Sequence, residues 1–203
     1  MKVYLDNAAT TPVAPEIIEM MSEMMKTTFA NPSSIHSYGR QSRTIIESAR
    51  KRIAKLLNTS PGSIFFTSGG TEADNMAIKC AIQDHSIQHA ITSKISHHAV
   101  LYPLKDLHDE RKINLSYIDI DNNGLVSLSH LKELLQNNSR TFVSIMHANN
   151  EIGTIQDLKK IGSICKDYGA IFHSDTVQTI GHYPFNMQDL NVDFLAASAH
   201  KFH

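Results

Sequence analysis

The sequence predicts an α/β fold, the large domain of a layered protein: a mostly parallel, mixed sheet covered by helices on both faces. Three observations predict it. Short β-branched runs alternate along the chain with longer segments of helical period, the order that builds parallel strands joined by helical crossovers. Several of those runs are apolar throughout instead of alternating, as strands covered on both faces require. No repeat, Ser/Gly linker or charge block interrupts the pattern over 203 residues, of which 41% are apolar and 19% charged, with only 9 Gly and 6 Pro. Disordered, collagen-like and low-complexity chains are excluded by that composition.

The first 34 residues differ from the rest. Leu5 to Ser34 is rich in Asn, Thr, Pro and Ser and reads as an arm with long loops outside the main sheet. Residues 1–34 are expected to serve a smaller domain or a dimer contact, and 35–203 to form the large domain. A helix is expected from Pro15 to Thr28, its stripe Met20, Met21, Met24 and Met25 serving as core or dimer contact. The next, Ser37 to Leu57, gathers Ile45, Ile46, Ala49, Ile53, Leu56 and Leu57 on one side and turns Arg43, Glu47, Arg50 and Lys51 away. Ser60-Pro61-Gly62 breaks the chain before an expected strand at Ile64 to Thr67, and a helix follows from Glu72 to Asp84.

Strands are then expected at His89 to Thr92 and Ile113 to Ile118. Asn122-Asn123-Gly124 supplies a tight turn before a helix from Leu128 to Leu135. A strand from Thr141 to Met146, a helix from Leu158 to Tyr168 closed by Gly169, and strands at Ala170 to Asp175 and Val192 to Ala196 complete the series.

Charge and cysteine usage narrow the function. With 19 Lys and Arg against 20 Asp and Glu, the net charge of −1 offers no surplus of cations to neutralise nucleic-acid or membrane phosphates. Cys80 and Cys165 lack CxxC spacing, so neither a disulfide framework nor a cysteine-rich zinc site is expected. Packing within helices is the expectation for both thiols. The N-terminus has no apolar h-region, and no window approaches the ~18 apolar residues of a spanning helix. A soluble, cytoplasmic protein in a reducing compartment is expected.

Three constellations carry the chemistry. In Phe65-Phe66-Thr67-Ser68-Gly69-Gly70-Thr71-Glu72 a run of strand character meets a Gly-Gly turn and then a helix, whose free N–H groups and positive dipole end suit a phosphate. Neither GxGxxG nor a Lys-terminated nucleotide loop is present, and an ordinary turn capped by Thr71 would also explain the residues. Asp175, in His173-Ser174-Asp175-Thr176-Val177-Gln178, leaves an apolar strand at its carboxyl end, where open α/β sheets place ligands. A helix N-cap or salt bridge is the plainer explanation. Lys201, in Ala197-Ser198-Ala199-His200-Lys201-Phe202-His203, follows another such strand; partial desolvation there favours the neutral amine that attacks carbonyls. At an ordinary pKa of about 10.4 only about one amine in 2,500 is neutral at pH 7, and a snorkelling surface lysine is the plainer alternative. The histidines His173, His200 and His203 lack an HExxH or cysteine companion, so no metal is expected.

The combination is more telling than any part. A phosphate cup, a strand-end Asp and a strand-end Lys are what pyridoxal 5'-phosphate requires: an anion site, a counter-charge for the pyridine nitrogen, and an amine for the aldehyde. An Asp about 4 Å from that nitrogen, at an effective dielectric near 20, attracts it by about 4 kcal/mol, or about three pKa units.

On these residues the chain resembles the N-terminal, cofactor-binding part of a cysteine desulfurase, in the aminotransferase class V group of fold-type I pyridoxal-phosphate enzymes. The matching stretches, in the family's order, are Leu5-Asp6-Asn7-Ala8-Ala9-Thr10-Thr11, Asn31-Pro32-Ser33-Ser34 with His36 and Gly39-Arg40, Thr67 to Asn75, Ala148-Asn149-Asn150-Glu151-Ile152-Gly153-Thr154, and Ser198-Ala199-His200-Lys201. The resemblance implies that Lys201 condenses with the aldehyde and, once freed, shares α-proton removal with His97. It implies that Asp175 pairs with the ring nitrogen, Gln178 with the ring hydroxyl, and that His97 stacks on the ring. Asn150 would touch cofactor or substrate; Gly70, Thr71, Ser198 and His200 would hold the phosphate.

The implied activity is conversion of L-cysteine to L-alanine, with sulfur passing to an enzyme persulfide for iron–sulfur cluster, thio-cofactor or tRNA thiolation pathways. A homodimer and a sulfur-acceptor or scaffold protein are the implied partners. Selenocysteine lyase, another class V enzyme, or a truncated cofactor-binding module without turnover are the alternatives. Two departures stand out. Ser96 precedes His97 where the family has Glu, and the family's DAxQ stretch reads Asp175-Thr176-Val177-Gln178. Family members also continue well beyond the cofactor lysine, so the large domain is expected to be truncated there. The substrate-carboxylate arginine and the sulfur-accepting cysteine are expected in that later half.

Overall fold

In the computed structural model, which describes Met1 to His203, hydrophobic alternation decides the layering. The helices are α1 (Pro15–Thr27), α2 (Ser37–Leu56), α3 (Gly70–Asp84), α4 (His98–Asp109), α5 (Leu128–Gln136), α6 (Leu158–Asp167) and α7 (Met187–Leu190). The strands are β1 (His89–Ser93), β2 (Asn114–Ile118), β3 (Thr141–Ser144), β4 (Ile171–Asp175) and β5 (Phe194–Ala196). Successive strand residues point to opposite faces. Ala90 and Phe142 therefore pack with Ile78 and Ala81 of α3 and Val100 and Leu104 of α4. Their neighbours Ile91 and Val143, with Phe172, pack on the other face against Leu131 and Leu135 of α5 and Leu158, Ile161 and Ile164 of α6.

The sheet order is β2-β1-β3-β4-β5, and every neighbouring pair is parallel. The expected antiparallel admixture is absent, because each passage between the paired strands carries a helix and none is a hairpin. Ile64 to Thr67 is not a strand either. These residues are in no ladder; the Ile64 carbonyl is taken by the Arg50 guanidinium, whose carbon lies 4.9 Å from the centre of the Phe66 ring.

Helix α4 escapes the sequence reading because Pro103 lies inside it. Proline cannot donate to the carbonyl four residues back, which is that of Ala99. The orphaned oxygen is taken up by the Asn75 side-chain amide of α3, 3.2 Å away, which stitches the two helices together. Helix α7 is a single turn capped by Asn186, too short to show periodicity. Of the two cysteines, Cys165 is buried as expected, but Cys80 is exposed on α3. The methionine stripe of α1 contacts no core: that helix buries no residue, and Met20, Met21 and Met25 are exposed. No helix is long and apolar enough to cross a membrane.

Candidate active site

Parallel strands deliver their carboxyl ends to one edge of the sheet, and every site residue expected from the sequence sits there. Gly70, Thr71, His97, Asn150, Asp175, Gln178, Ser198, His200 and Lys201 all line a single cavity of about 290 Å³. His97 follows β1, Asn150 follows β3, Asp175 ends β4, and Ser198 to Lys201 follow β5. The cavity's remaining lining includes Asp74 and Ala9. Asp74 carries no separate signal beyond its place in the Thr67 to Asn75 stretch, whereas Ala9 lies within the arm motif quoted above.

The first turn of α3 forms one wall. Its N-cap is Gly69, with no side-chain cap, so Thr71 does not cap the helix and its hydroxyl is left to the cavity. The N–H groups of a first turn have no partners within their helix. Glu72 accepts from the Ser68 N–H at 2.6 Å, a bond that holds its carboxyl below the ordinary value. Gly70 is required by space: a Cβ there would lie 2.9 Å from Val177 Cγ2 and 3.5 Å from Ser198 Cβ. The Ser198 side chain lies against the Gly70 turn, and Thr71 and His200 line the same cavity.

Asp175 is 5% exposed and accepts from the Val177 N–H at 2.9 Å. Burial first, and the neighbouring Asp74 charge second, push its carboxyl up to about 6, opposed by the Val177 bond and by His173 and His97. A cationic group placed beside it would reverse that shift. Lys201 lines the same cavity. Burial lowers its amine below the ordinary value while Asp175 and Asp6 pull it back, which fits an amine that must be both held and reactive. His97 caps α4, and its Nδ1 accepts from the Ala99 N–H at 3.1 Å, so a neutral ring carries its proton on Nε2. The preceding Ser96 is buried and lies 3.1 Å from the Thr92 hydroxyl, so this position supplies no acid.

The arm closes the site from above. The Ala8 carbonyl accepts from the Lys201 ammonium and, at 3.0 Å, from Gln178. The His200 carbonyl accepts from the Thr11 N–H at 2.9 Å, and its ring lies 3.1 Å from the Thr10 hydroxyl. Asn150 hydrogen-bonds Glu151 at 2.6 Å while facing the cavity. His173 faces Asp74 in the interior, whereas His200 and His203 contact the arm, so the three histidines do not form one cluster.

A buried acid, a lowered amine and a helix N-terminus around one cavity match the three grips that pyridoxal phosphate needs, so the residues present fit that cofactor. The comparisons agree. The model of the family described as "Aminotransferase class-V" matches residues 3–203. The cysteine desulfurase IscS of Dictyoglomus turgidum is 48% identical over 204 residues, covering 100% of this chain and 51% of that protein. The IscS of Methanosarcina thermophila is 45% identical, over 98% and 50%. A solved NifS-like protein superposes with a TM-score of 0.94 at 39% identity, covering 100% of this chain and 56% of its own. A structure titled "SspA in complex with cysteine" gives 0.91 at 34%, covering 98% and 57%. The chain spans about half the length of the curated relatives it matches. With its fold and a match across nearly its whole length, the chain belongs to the class V aminotransferase family of pyridoxal-phosphate-dependent enzymes.

Proposed function

We propose that this protein acts as a cysteine desulfurase, converting L-cysteine to L-alanine and passing the sulfur on as an enzyme persulfide. The observation that carries the reading is the convergence of Lys201, Asp175 and the α3 N-terminus on one cavity, and the names of the relatives support it. When bound, pyridoxal phosphate supplies an electron sink that stabilises negative charge at the substrate's α-carbon. Gly70, Thr71, Ser198 and His200 would hold its phosphate, and Asp175 would keep the ring nitrogen protonated by placing a negative charge beside it. Gln178 would hold the ring hydroxyl, His97 the ring face, and Asn150 would touch cofactor or substrate. Lys201 would hold the aldehyde, and its amine at Nζ would take the substrate's α-proton, with His97 as the second proton carrier.

Neither cysteine of the chain is assigned the persulfide. Cys165 is buried and its thiol is pushed up to about 12, far from a thiolate at neutral pH, and Cys80 does not line the cavity. That role is assigned to the half of the relatives' length that this chain does not span, together with the arginine for the substrate carboxylate. The arm, residues 1–34, is assigned to a homodimer contact or a smaller domain, and an iron–sulfur scaffold or thiolation acceptor receives the sulfur. Thiol chemistry of this kind suits the reducing cytoplasm.

The test is turnover by the whole protein loaded with pyridoxal phosphate under a thiol reductant. Equimolar alanine and sulfide from L-cysteine are expected, abolished in Lys201→Ala. Turnover of selenocysteine without cysteine, or binding of cofactor with no alanine, would overturn the assignment in favour of a lyase or a non-catalytic module.

A further inference from the structure

The chemistry above uses one of two carboxylates in the cavity wall. The other, Asp74 of α3, is 1% exposed and lines the same cavity. Behind it stands His173, 0% exposed, on β4 two residues before Asp175 and so on the same face of the sheet. Its Nε2 lies 3.3 Å from Asp74 Oδ1, and neither atom has an aligned hydrogen-bond partner. The other ring nitrogen, Nδ1, lies 2.9 Å from the Ser144 hydroxyl, and Phe142 stacks on the ring with centroids 6.0 Å apart.

Two ionised carboxylates buried in the wall of one cavity repel each other, and a buried charge without a partner is costly. The His173 nitrogen stands 3.3 Å from the orphaned Asp74 oxygen. Each ring nitrogen has an oxygen able to accept beside it, Ser144 at 2.9 Å from Nδ1 and Asp74 at 3.3 Å from Nε2, a placement suited to an imidazole that carries two N–H donors.

We propose that His173 is held as an imidazolium between Ser144 and Asp74, so that Asp74 and His173 form a pair of zero net charge and leave Asp175 as the unbalanced negative charge that faces the cofactor's ring nitrogen. Its functional half rests on the reading of the site given above. His173 and Asp74 are thus positioning residues: they touch neither substrate nor reacting atoms but set the charge of the group that does. The other titratable groups lining the cavity are His97 at the α4 N-cap, and His200 and Lys201 after β5, with Asp6 of the arm acting on Lys201. They are common to every variant below, so differences report on the pair.

The test reads the Asp175 carboxyl by carbon NMR across pH 4–9 in the cofactor-free protein. His173→Gln, which keeps a neutral donor but no charge, is expected to raise the Asp175 midpoint by about one pH unit, because the Asp74 charge is then uncompensated. Removing both charges in Asp74→Asn/His173→Gln is expected to bring the midpoint back to that of the unaltered protein, as a double-mutant cycle for a neutral pair requires. An unmoved midpoint in His173→Gln, together with a lowered one in Asp74→Asn, would overturn the proposal in favour of a neutral histidine. If His173→Gln fails to fold, nitrogen NMR of His173 in the unaltered protein decides: two protonated ring nitrogens at pH 7 support the pair, and a single one overturns it. In the loaded protein, the pH below which pyridoxal phosphate affinity declines is expected to rise with the Asp175 midpoint. The expected Asp175 shifts without any cofactor on Lys201 would sustain the pair and remove the proposed function; cofactor on Lys201 with an unmoved Asp175 would do the opposite.

Discussion

Replacing Asp175 by asparagine separates what this carboxylate costs the fold from what it contributes to the site. The group is 5% exposed, and burial with the Asp74 charge raises it from 3.8 to about 6. The fold therefore favours the neutral acid. That stabilisation is complete below the unfolded value near 3.8 and is lost as pH rises through about 6. A shift of roughly two units corresponds to about 3 kcal/mol of stability forfeited at pH 8. Asparagine retains an Oδ1 to accept from the Val177 N–H and fills the same volume. The cofactor-free Asp175→Asn protein is thus expected to be up to about 3 kcal/mol more stable than its parent at pH 8, about half as much at pH 5, and equal to it at pH 3.5. Urea unfolding at the three pH values measures this, with the slope against denaturant checked for constancy. No gain at pH 8, or a gain of the same size at pH 3.5, would refute the reasoning. The same substitution removes an attraction of about 4 kcal/mol for a ring cation at 4 Å, so cofactor affinity is expected to fall by tenfold or more as stability rises.

Other perturbations test other parts of the account. Gly70→Ala places a methyl group 2.9 Å from Val177 in the wall of the cup, so pyridoxal phosphate affinity is expected to fall by about tenfold and stability by about 1–3 kcal/mol; unchanged affinity would place the anion elsewhere. Asn75→Leu strands the Ala99 carbonyl that Pro103 leaves free and is expected to cost about 1–2 kcal/mol in urea unfolding, whereas adding Pro103→Ala restores a backbone donor and most of the loss. An equal loss in the double variant would contradict that account. At pH 8 a thiol reagent is expected to label exposed Cys80 at once and Cys165 only as the protein unfolds, in keeping with a thiol pushed up to about 12; equal rates would be inconsistent with the burial of Cys165.

How much the sequence discloses depends on whether a residue acts locally or through its neighbours. β1, β3 and β4 are buried along almost all their length and each carries a pair of apolar residues, Ala90-Ile91, Phe142-Val143 and Ile171-Phe172, so their type and position are legible. Helix α4 is not, because the partner that makes Pro103 tolerable is Asn75, distant in sequence. Ile64 to Thr67 has strand composition, but strand formation is a property of a pair, and nothing pairs with it. Of the residues lining the cavity, Gly70, Thr71, Asp175 and Lys201 are legible because strand ends, a Gly-Gly turn and a lysine among small residues each carry a local chemical signal, which parallel topology then gathers at one edge, whereas His97, Asn150 and Gln178 come only from the family resemblance. Asp74 and His173 carry no such signal. A carboxylate in a helix and a histidine in a strand acquire meaning only when folding sets them 3.3 Å apart.

The central claim is that Lys201 is the amine that grips the cofactor aldehyde while Asp175 and the α3 N-terminus hold the rest. Incubation with pyridoxal phosphate, borohydride reduction and peptide mapping by mass spectrometry tests it most directly. The account predicts one stable adduct, on Lys201, suppressed by competing inorganic phosphate; an adduct on another lysine, or scattered labelling that phosphate does not suppress, would contradict it.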